Sequence, residues 1–220
     1  MTTNPPKTTN SPKLRACVYI DGFNLYYTAL KGTNFKWLNV LSMAQSLFPE
    51  YDVCQVKYFT ARVSPRNGDQ SPVLRQQVYL RALATAPTVE IIFGNFLKSV
   101  VTMASHPITN PVTLVKVVKT EEKGSDVNIA THMIVDSAAY AYDVILLFSN
   151  DSDLKLPVQL ARERYQRTVF IVTRTSTPNV SLIRASQNHH QLRKHHLRDN
   201  LFPQTMSDAR GTFTCPTAWV

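Results

Sequence analysis

Aspartates recur where hydrophobic segments of this sequence give way to polar ones. Asp21 follows Val-Tyr-Ile, and Asp151 and Asp153 follow Leu-Leu-Phe-Ser-Asn. Asp126 stands at the end of Glu-Glu-Lys-Gly-Ser-Asp. In an α/β sheet, the residues that follow the strands lie in the crevice at the carboxyl edge, where such folds bind ligands. Carboxylates gathered there repel one another unless a cation compensates them, so these positions predict a metal site.

The types of donor in this set indicate which cation it would hold. Carboxylates without a His or Cys partner favour Mg²⁺ or Mn²⁺ over zinc. A bound cation of this kind lowers the pKa of an attacking water, and a second one about 3.5–4 Å away neutralises a leaving oxygen. Such a site suits phosphodiester cleavage, and it requires no side-chain nucleophile.

Each aspartate also has a simpler explanation when it is taken alone. Asp21-Gly22 is a common turn pair, and Asp151 and Asp153 could cap a helix. Asp126 could interact with a helix dipole. The prediction of a metal site therefore rests on the set of motifs.

The spacing of apolar residues predicts the elements that position these acids. Apolar runs predict strands, and a 3.6-residue period predicts helices between them. Two segments around a His-Pro-Ile-Thr-Asn-Pro loop fit a hairpin, and a Ser-, Pro- and Gly-rich segment predicts an exposed loop. The predicted strands are 16–20, 53–60, 89–93, 144–148 and 168–172; the helices are 23–31, 40–48, 73–84, one from 125 and 154–164; the hairpin is 97–103 with 112–119, and the loop is 64–72.

Alternation of strands and helices predicts an α/β protein with a mostly parallel, doubly wound sheet. A length of 220 residues with 44% hydrophobic residues suits one domain, which we place at residues 15–202. Residues 1–14 and 203–220 lack periodicity and mix Pro, Thr, Ser and charge, so we expect a flexible N-terminal tail and a C-terminal tail.

The apolar runs and the cysteines bear on the compartment. No apolar run approaches the roughly 20 residues that a membrane span needs, and the N-terminal segment lacks the apolar stretch of a secretory signal. The three cysteines are widely spaced and form neither a CxxC pair nor a disulfide framework. We therefore expect free thiols, no membrane association and a cytoplasmic location.

Positive charge is concentrated in the last third of the chain. The formal net charge is +9, and the segment from Lys155 to Arg198 contains nine Lys or Arg residues against the single acid Glu163. A basic track of this kind could bind a phosphate backbone, or it could be a solvated face that aids solubility. Both interpretations stay open on the sequence alone.

Three segments together resemble the motifs of the NYN domain, a branch of the PIN-like metal-dependent ribonucleases: Tyr-Ile-Asp21-Gly-Phe-Asn24-Leu, Glu122-Lys-Gly-Ser-Asp126-Val and Ser-Asn-Asp151-Ser-Asp153-Leu. The resemblance covers roughly residues 15–185. It implies a PIN-like α/β/α sandwich in which Asp21, Asp126, Asp151 and Asp153 form the catalytic, metal-binding site. Asn24 matches the Asn of the first motif and would orient a ligand or water. The chain departs from the family at Asn150, where Gly is usual, and at Leu154, where Phe is frequent.

Other polar and aromatic residues are candidates for contact with the substrate. Glu122 is a weaker candidate ligand, through a water. The His-rich segment 188–198 could contact phosphate, bind metal or lie in solvent. Aromatic residues after the first acid could stack on unpaired bases, although core packing is the default for most of them. The candidate phosphate contacts are Lys123, Lys155, Arg174 and Arg184; the aromatic candidates are Tyr26, Tyr27, Phe35 and Trp37.

These observations lead to one functional hypothesis and two rivals. We expect a Mg²⁺- or Mn²⁺-dependent ribonuclease that acts on single-stranded RNA, with a homo-oligomeric state left open. The first rival is a non-catalytic RNA-binding or protein-interaction domain of the same fold. The second is a haloacid-dehalogenase-type phosphatase, whose Asp-x-Asp motif is broken here because Phe23 occupies the second position.

Overall fold

A seven-stranded sheet forms the centre of the protein, with the strand order β4-β3-β2-β1-β5-β6-β7. The computed structural model describes residues 12–65 and 68–219. All neighbouring strands are parallel except β3 and β4, which are antiparallel. The strands are β1 (Arg15–Asp21), β2 (Asp52–Ala61), β3 (Val89–Ala104), β4 (Leu114–Lys123), β5 (Val144–Phe148), β6 (Thr168–Thr173) and β7 (His189–Gln191).

Helices connect the parallel strands and cover both faces of the sheet. A π-helical turn (Tyr26–Leu30) follows α1 directly, and a 3₁₀ turn (Ser152–Leu154) precedes α5. Asparagine side chains cap the N-termini of α2 and α6. The helices are α1 (Gly22–Leu25), α2 (Val40–Leu47), α3 (Ser71–Leu83), α4 (Ser125–Ala138), α5 (Lys155–Glu163), α6 (Val180–Ser186) and α7 (Lys194–Arg198).

Two hydrophobic cores lie on opposite faces of the sheet. Along β1 the side chains alternate, so that Val18 and Ile20 pack with α2 and α3 while Cys17 and Tyr19 pack with α4, α5 and α6. Every residue from position 16 to 20 is fully buried. A central strand that is apolar on both faces needs helices on both sides, which is the α/β/α sandwich with a mostly parallel sheet that the sequence predicts. That prediction is confirmed.

One strand is longer than the sequence indicates. The predicted strand 89–93 and the first arm of the hairpin are a single strand, β3, which pairs with β2 up to Gly94 and with β4 from Asn95 onward. At Gly94 the carbonyl oxygen of Lys123 approaches so closely that a Cβ there would lie 2.8 Å from it. The glycine therefore permits a close backbone approach and does not end the strand.

The predicted C-terminal tail, residues 203–220, is wrong for most of its length. Residues Thr205–Asp208 and Gly211–Thr214 form an antiparallel hairpin, β8 and β9. Phe213 is 8% exposed and its ring packs against that of Trp37, with ring centroids 6.5 Å apart. The aromatic side chains give this non-periodic segment enough apolar surface to pack. Of the predicted N-terminal tail, residues 1–11 lie outside the described residues.

Within the described part of the chain, no helix has the length and hydropathy required to cross a membrane.

Candidate metal centre

Asp21 is the last residue of β1 and the most enclosed of the predicted acids. It is 6% exposed, and its Oδ1 accepts a hydrogen bond from the backbone N–H of Asn24 at 2.9 Å. Its Oδ2 accepts a hydrogen bond from the Ser149 hydroxyl at 3.2 Å. The pKa of Asp21 is raised to about 6, mainly by burial; the charges of Asp126 and Asp151 contribute to the rise, and the two hydrogen bonds oppose it. This carboxylate therefore has neutral donors and acidic neighbours.

Asp151 lies near Asp21 because β5 is the neighbour of β1, and Asp153 follows in the 3₁₀ turn. Ile20 is paired with Phe148, so the loop after β5 begins next to Asp21. The Asp151 Oδ1 accepts a hydrogen bond from the N–H of Asp153 at 2.9 Å and so caps the 3₁₀ turn. Capping and participation in the acidic group are both compatible with the position of Asp151.

Asp126 joins the group from the first turn of α4. It is half-buried, and its pKa is raised by burial first and then by the charges of Asp151, Glu122 and Asp153. Glu122, the weaker candidate, accepts hydrogen bonds at Oε1 from the Ser125 hydroxyl at 2.8 Å and from the Ser125 N–H at 3.2 Å. The charges of Asp126 and Asp151 raise the pKa of Asp21, and those of Asp151 and Asp153 raise the pKa of Asp126. The four aspartates therefore lie near one another at the carboxyl edge, and we call them the acidic crevice.

The side chain of Asn24 forms a hydrogen bond with the backbone of the loop after β5. Its Oδ1 accepts a hydrogen bond from the N–H of Asn150 at 3.3 Å. The Oδ1 of Asn150 in turn accepts a hydrogen bond from the N–H of Asn179, the N-cap of α6, at 2.7 Å. Asn150, which replaces the usual Gly, therefore ties the loop after β5 to α6 without a positive φ. Sequence reasoning missed Ser149, although a hydroxyl residue after five apolar ones is a visible signal.

The chemistry of the acidic crevice fits a divalent cation, although its geometry is not a closed ligand set. Within residues 12–65 and 68–219, none of the four aspartates forms an ion pair with Lys, Arg or His. In the same residues, no three His, Cys, Asp or Glu side chains are grouped closely enough to hold a metal ion. Hard oxygen donors whose charges are uncompensated suit Mg²⁺ or Mn²⁺ with retained waters.

The predicted phosphate contacts are distributed around the same edge of the sheet. Lys155 is exposed at the start of α5, directly after the 3₁₀ turn, and Arg174 follows the end of β6. Arg184 is exposed on α6. Lys123, exposed at the end of β4, lies 3.5 Å from Glu121. All four lie on elements that start or end at the carboxyl edge.

The basic excess of the last third does not form one track. Arg162, in the last turn of α5, lies 2.6 Å from Glu163. Arg167 is buried just before β6 begins, and its Nη1 donates to the carbonyl of Tyr142 at 3.1 Å. Because α5 runs antiparallel to the strands, it carries these cations to the amino edge of the sheet, away from the acidic crevice.

The four aromatic candidates separate into packed and accessible rings. Trp37 is 1% exposed and donates its Nε1–H to the carbonyl of Pro203 at 2.8 Å. Phe35 packs against the core. Tyr26 and Tyr27 line a cavity beside the acidic crevice, and Tyr27 is 62% exposed. Only the tyrosines are placed to meet a ligand.

The fold and the acidic crevice together define an α/β protein of the PIN-like nuclease class. The chain matches the family model described as NYN domain over residues 15–193. It belongs to the NYN domain family, as the three motifs predict.

Two known proteins show how this chain relates to others. It is 31% identical over 198 residues to 6-hydroxy-3-succinoylpyridine 3-monooxygenase HspA of Pseudomonas putida (strain DSM 28022 / S16); the match covers 78% of this chain and spans 63% of the length of that relative. The crystal structure of a protein of unknown function, VPA0982 of Vibrio parahaemolyticus RIMD 2210633, superposes with a TM-score of 0.53 at 20% identity. It covers 86% of this chain and 97% of that one. The second likeness supports the fold alone.

Proposed function

We propose that this protein is a Mg²⁺- or Mn²⁺-dependent ribonuclease that hydrolyses phosphodiester bonds in single-stranded RNA in the cytoplasm. The observation that carries the proposal is the acidic crevice at the carboxyl edge of the sheet. The neighbouring acids raise the pKa of Asp21 and of Asp126, and no ion pair within the described residues compensates the four aspartates. Membership in a nuclease family supports the same activity.

The residues of the crevice have separable roles in this proposal. Asp21, Asp126, Asp151 and Asp153 hold the cation, either directly or through water. When bound, the cation supplies a water of lowered pKa and neutralises charge on the phosphate oxygens. Ser149 and Asn24 keep the ends of β1 and β5 in register through their hydrogen bonds to Asp21 and Asn150.

Cations around the crevice would bind the RNA backbone on either side of the scissile phosphate. Lys155 and Arg174 follow β5 and β6 at this edge, and Arg184 and Lys123 lie on the flanking elements. Phosphate contacts of this kind position RNA without reading its sequence and weaken as salt rises. The proposed role of these four residues is therefore to raise the affinity for RNA, irrespective of its sequence.

The direct test is cleavage of a labelled, unstructured RNA by purified protein with Mg²⁺ or Mn²⁺ and with EDTA. The substitution Asp151→Asn should lower the metal-dependent rate by about 1,000-fold or more, because a metal supplies several kcal/mol of transition-state stabilisation. Asp199→Asn is the matched control, since Asp199 is exposed directly after α7, beside Arg198. Equal rates for wild type and Asp151→Asn would refute the proposal. RNA binding without any cleavage would favour the non-catalytic rival.

A second candidate is oxygenation of a small hydroxylated heteroaromatic compound. Two observations favour it: the name of the 31% identical relative, and an aromatic-lined cavity beside the acidic crevice. Monooxygenation consumes dioxygen and two electrons from a donor, so it is tested by oxygen uptake with 6-hydroxy-3-succinoylpyridine and a hydride donor. Substrate-dependent uptake that survives in Asp151→Asn, with no RNA cleavage by wild type, would establish this function instead.

A further inference from the structure

A cavity of about 480 Å³ opens beside the acidic crevice, on the α3 side of the sheet. This volume lies within the range of roughly 300–1,000 Å³ that is usual for small-molecule sites. The π-helical turn, β2, α3 and the C-terminal 3₁₀ turn (Thr217–Trp219) enclose it. Its aromatic walls are Phe23, Tyr26, Tyr27, Tyr58, Tyr79 and Trp219.

The aromatic walls suit a flat ring. Tyr27 is 62% exposed at the rim of the cavity. The Lys31 Nζ lies 5.0 Å from the centroid of the Tyr27 ring. The rings of Tyr79 and Trp219 meet edge to face at a centroid distance of 6.0 Å. Stacking of a base on one such ring contributes about 1–3 kcal/mol and tolerates every base, because each base has a π-face.

Some polar groups of the cavity lining are already hydrogen-bonded to the protein. The Gln76 Nε2–H donates to the carbonyl of Ala61 at 2.9 Å, and its Oε1 accepts from the N–H of Val63 at 2.9 Å. These two bonds hold the Gln76 side chain in place in the cavity wall. Tyr58 is 5% exposed and lines the cavity, and its hydroxyl has no hydrogen-bond partner among the described residues. Arg75 and Lys36 add positive charge to the lining.

One backbone segment separates this cavity from the acidic crevice. Gly22, which lines the cavity, directly follows Asp21. A Cβ at Gly22 would lie 2.7 Å from the carbonyl oxygen of Phe59 and 2.8 Å from the Tyr58 Cζ, so only glycine lets α1 approach β2 this closely. A ligand in the cavity therefore lies next to the backbone segment that carries Asp21.

We propose that the cavity binds the base of an unpaired nucleotide whose phosphate lies at the acidic crevice. The base stacks on the tyrosines, the Tyr58 hydroxyl contacts its edge, and Arg75 faces the anionic part of the ligand. This inference rests on the proposed function for the phosphodiester, but the binding of the ring itself does not. It is consistent with the proposed action on unpaired RNA, since a base within a duplex cannot enter a cavity.

The test measures binding of uridine, adenosine and their 5′-monophosphates to the full chain in EDTA, by calorimetry and by fluorescence of Trp219. Tyr27→Ala should lower the affinity for the nucleosides and for the monophosphates alike, by about 5- to 150-fold. Arg75→Gln should lower the affinity for the monophosphates more than the affinity for the nucleosides. Ala218→Trp, which adds a ring at the exposed rim, should block both.

The matched controls lie outside the lining of the cavity. Tyr140→Ala removes a tyrosine that is 70% exposed at the end of α4, and Ala84→Trp adds a ring at an exposed alanine after α3. Neither control should change the affinity for nucleotides. Equal affinities in wild type, Tyr27→Ala and Ala218→Trp would overturn the proposal, as would binding of a hydroxypyridine carboxylate but of no nucleotide.

The two proposals fail in different ways. If wild type cleaves RNA but binds no nucleotide through the cavity, the inference about the cavity is wrong and the ribonuclease proposal stands. If nucleotides bind in EDTA with the expected dependence on Tyr27 but RNA is not cleaved, the cavity is confirmed and the ribonuclease proposal is wrong.

Discussion

A single carboxylate, Asp136, and the four carboxylates of the acidic crevice lie near β1 in opposite electrostatic surroundings. On the α4 face, Asp136 accepts a hydrogen bond from the Tyr19 hydroxyl at 2.5 Å and lies 2.6 Å from the Lys57 Nζ, with the two charged side chains 16% and 8% exposed. At the carboxyl edge, Asp21 has only neutral donors, and its charged neighbours are Asp126 and Asp151.

The difference separates a structural role from a functional one. A buried charge is tolerated when the protein supplies a counter-charge and hydrogen bonds, as it does for Asp136. A group of carboxylates without a counter-charge destabilises the fold until a cation from solution binds. Asp136 therefore belongs to the core, whereas the charges of the acidic crevice are left without a counter-charge among the described residues, as the proposed cation site requires.

The largest effect on stability should come from Asp136→Ala, which leaves the charge of Lys57 buried and unpaired. We expect the free energy of unfolding to fall by about 3–5 kcal/mol. Urea denaturation measures the loss. The double variant Lys57→Met/Asp136→Leu removes both charges and should lose less than Asp136→Ala; a double variant that loses more would show that this pair is not balanced as described.

The substitution Asp21→Asn should raise the free energy of unfolding, in contrast to Asp136→Ala. Because the pKa of Asp21 is raised to about 6, ionising it costs folding free energy above that pH, and wild type loses stability as the pH rises from about 4 to 6. In EDTA at pH 7.5, Asp21→Asn should be more stable than wild type by roughly 1–3 kcal/mol, and the gain should vanish below pH 4. A variant that is less stable at pH 7.5 would contradict the unbalanced crevice.

A smaller and reversed dependence on pH is expected at Asp208. Two hydrogen bonds from Arg81, at 2.6 and 2.8 Å, hold the pKa of Asp208 below its usual range. Its contribution is present above the unfolded pKa and is lost as the pH falls through the folded one. Asp208→Asn should thus lower the melting temperature slightly at pH 7 and by less at pH 2, as scanning calorimetry can measure. Equal losses at both values would refute this.

Much of the fold could be predicted from the sequence because its signals are local. The run Ala16–Ile20 and the run Val144–Phe148 are apolar throughout, which indicates strands covered on both faces. The Asp residues that follow them identify the loops at the carboxyl edge. Since parallel order brings such loops together, the acidic crevice followed from the pattern once the fold class was known.

The remainder depended on contacts between distant residues. The hairpin around Phe213 shows no periodicity, and it is ordered by Trp37, which lies far away in the sequence. The role of Asn24 as a backbone clamp depends on Asn150, and the direction of α5 decides which cations reach the crevice. Such pairings arise from the packed fold and have no local signature.

The most direct test of the central claim is a titration with Mg²⁺ or Mn²⁺ followed by the melting temperature and by calorimetry. Wild type should bind the cation and melt at a higher temperature, while Asp21→Asn and Asp151→Asn should bind it far more weakly and show little rise. Asp199→Asn should behave as wild type. Equal cation binding by wild type and both crevice variants would contradict the account that the acidic crevice is the metal site.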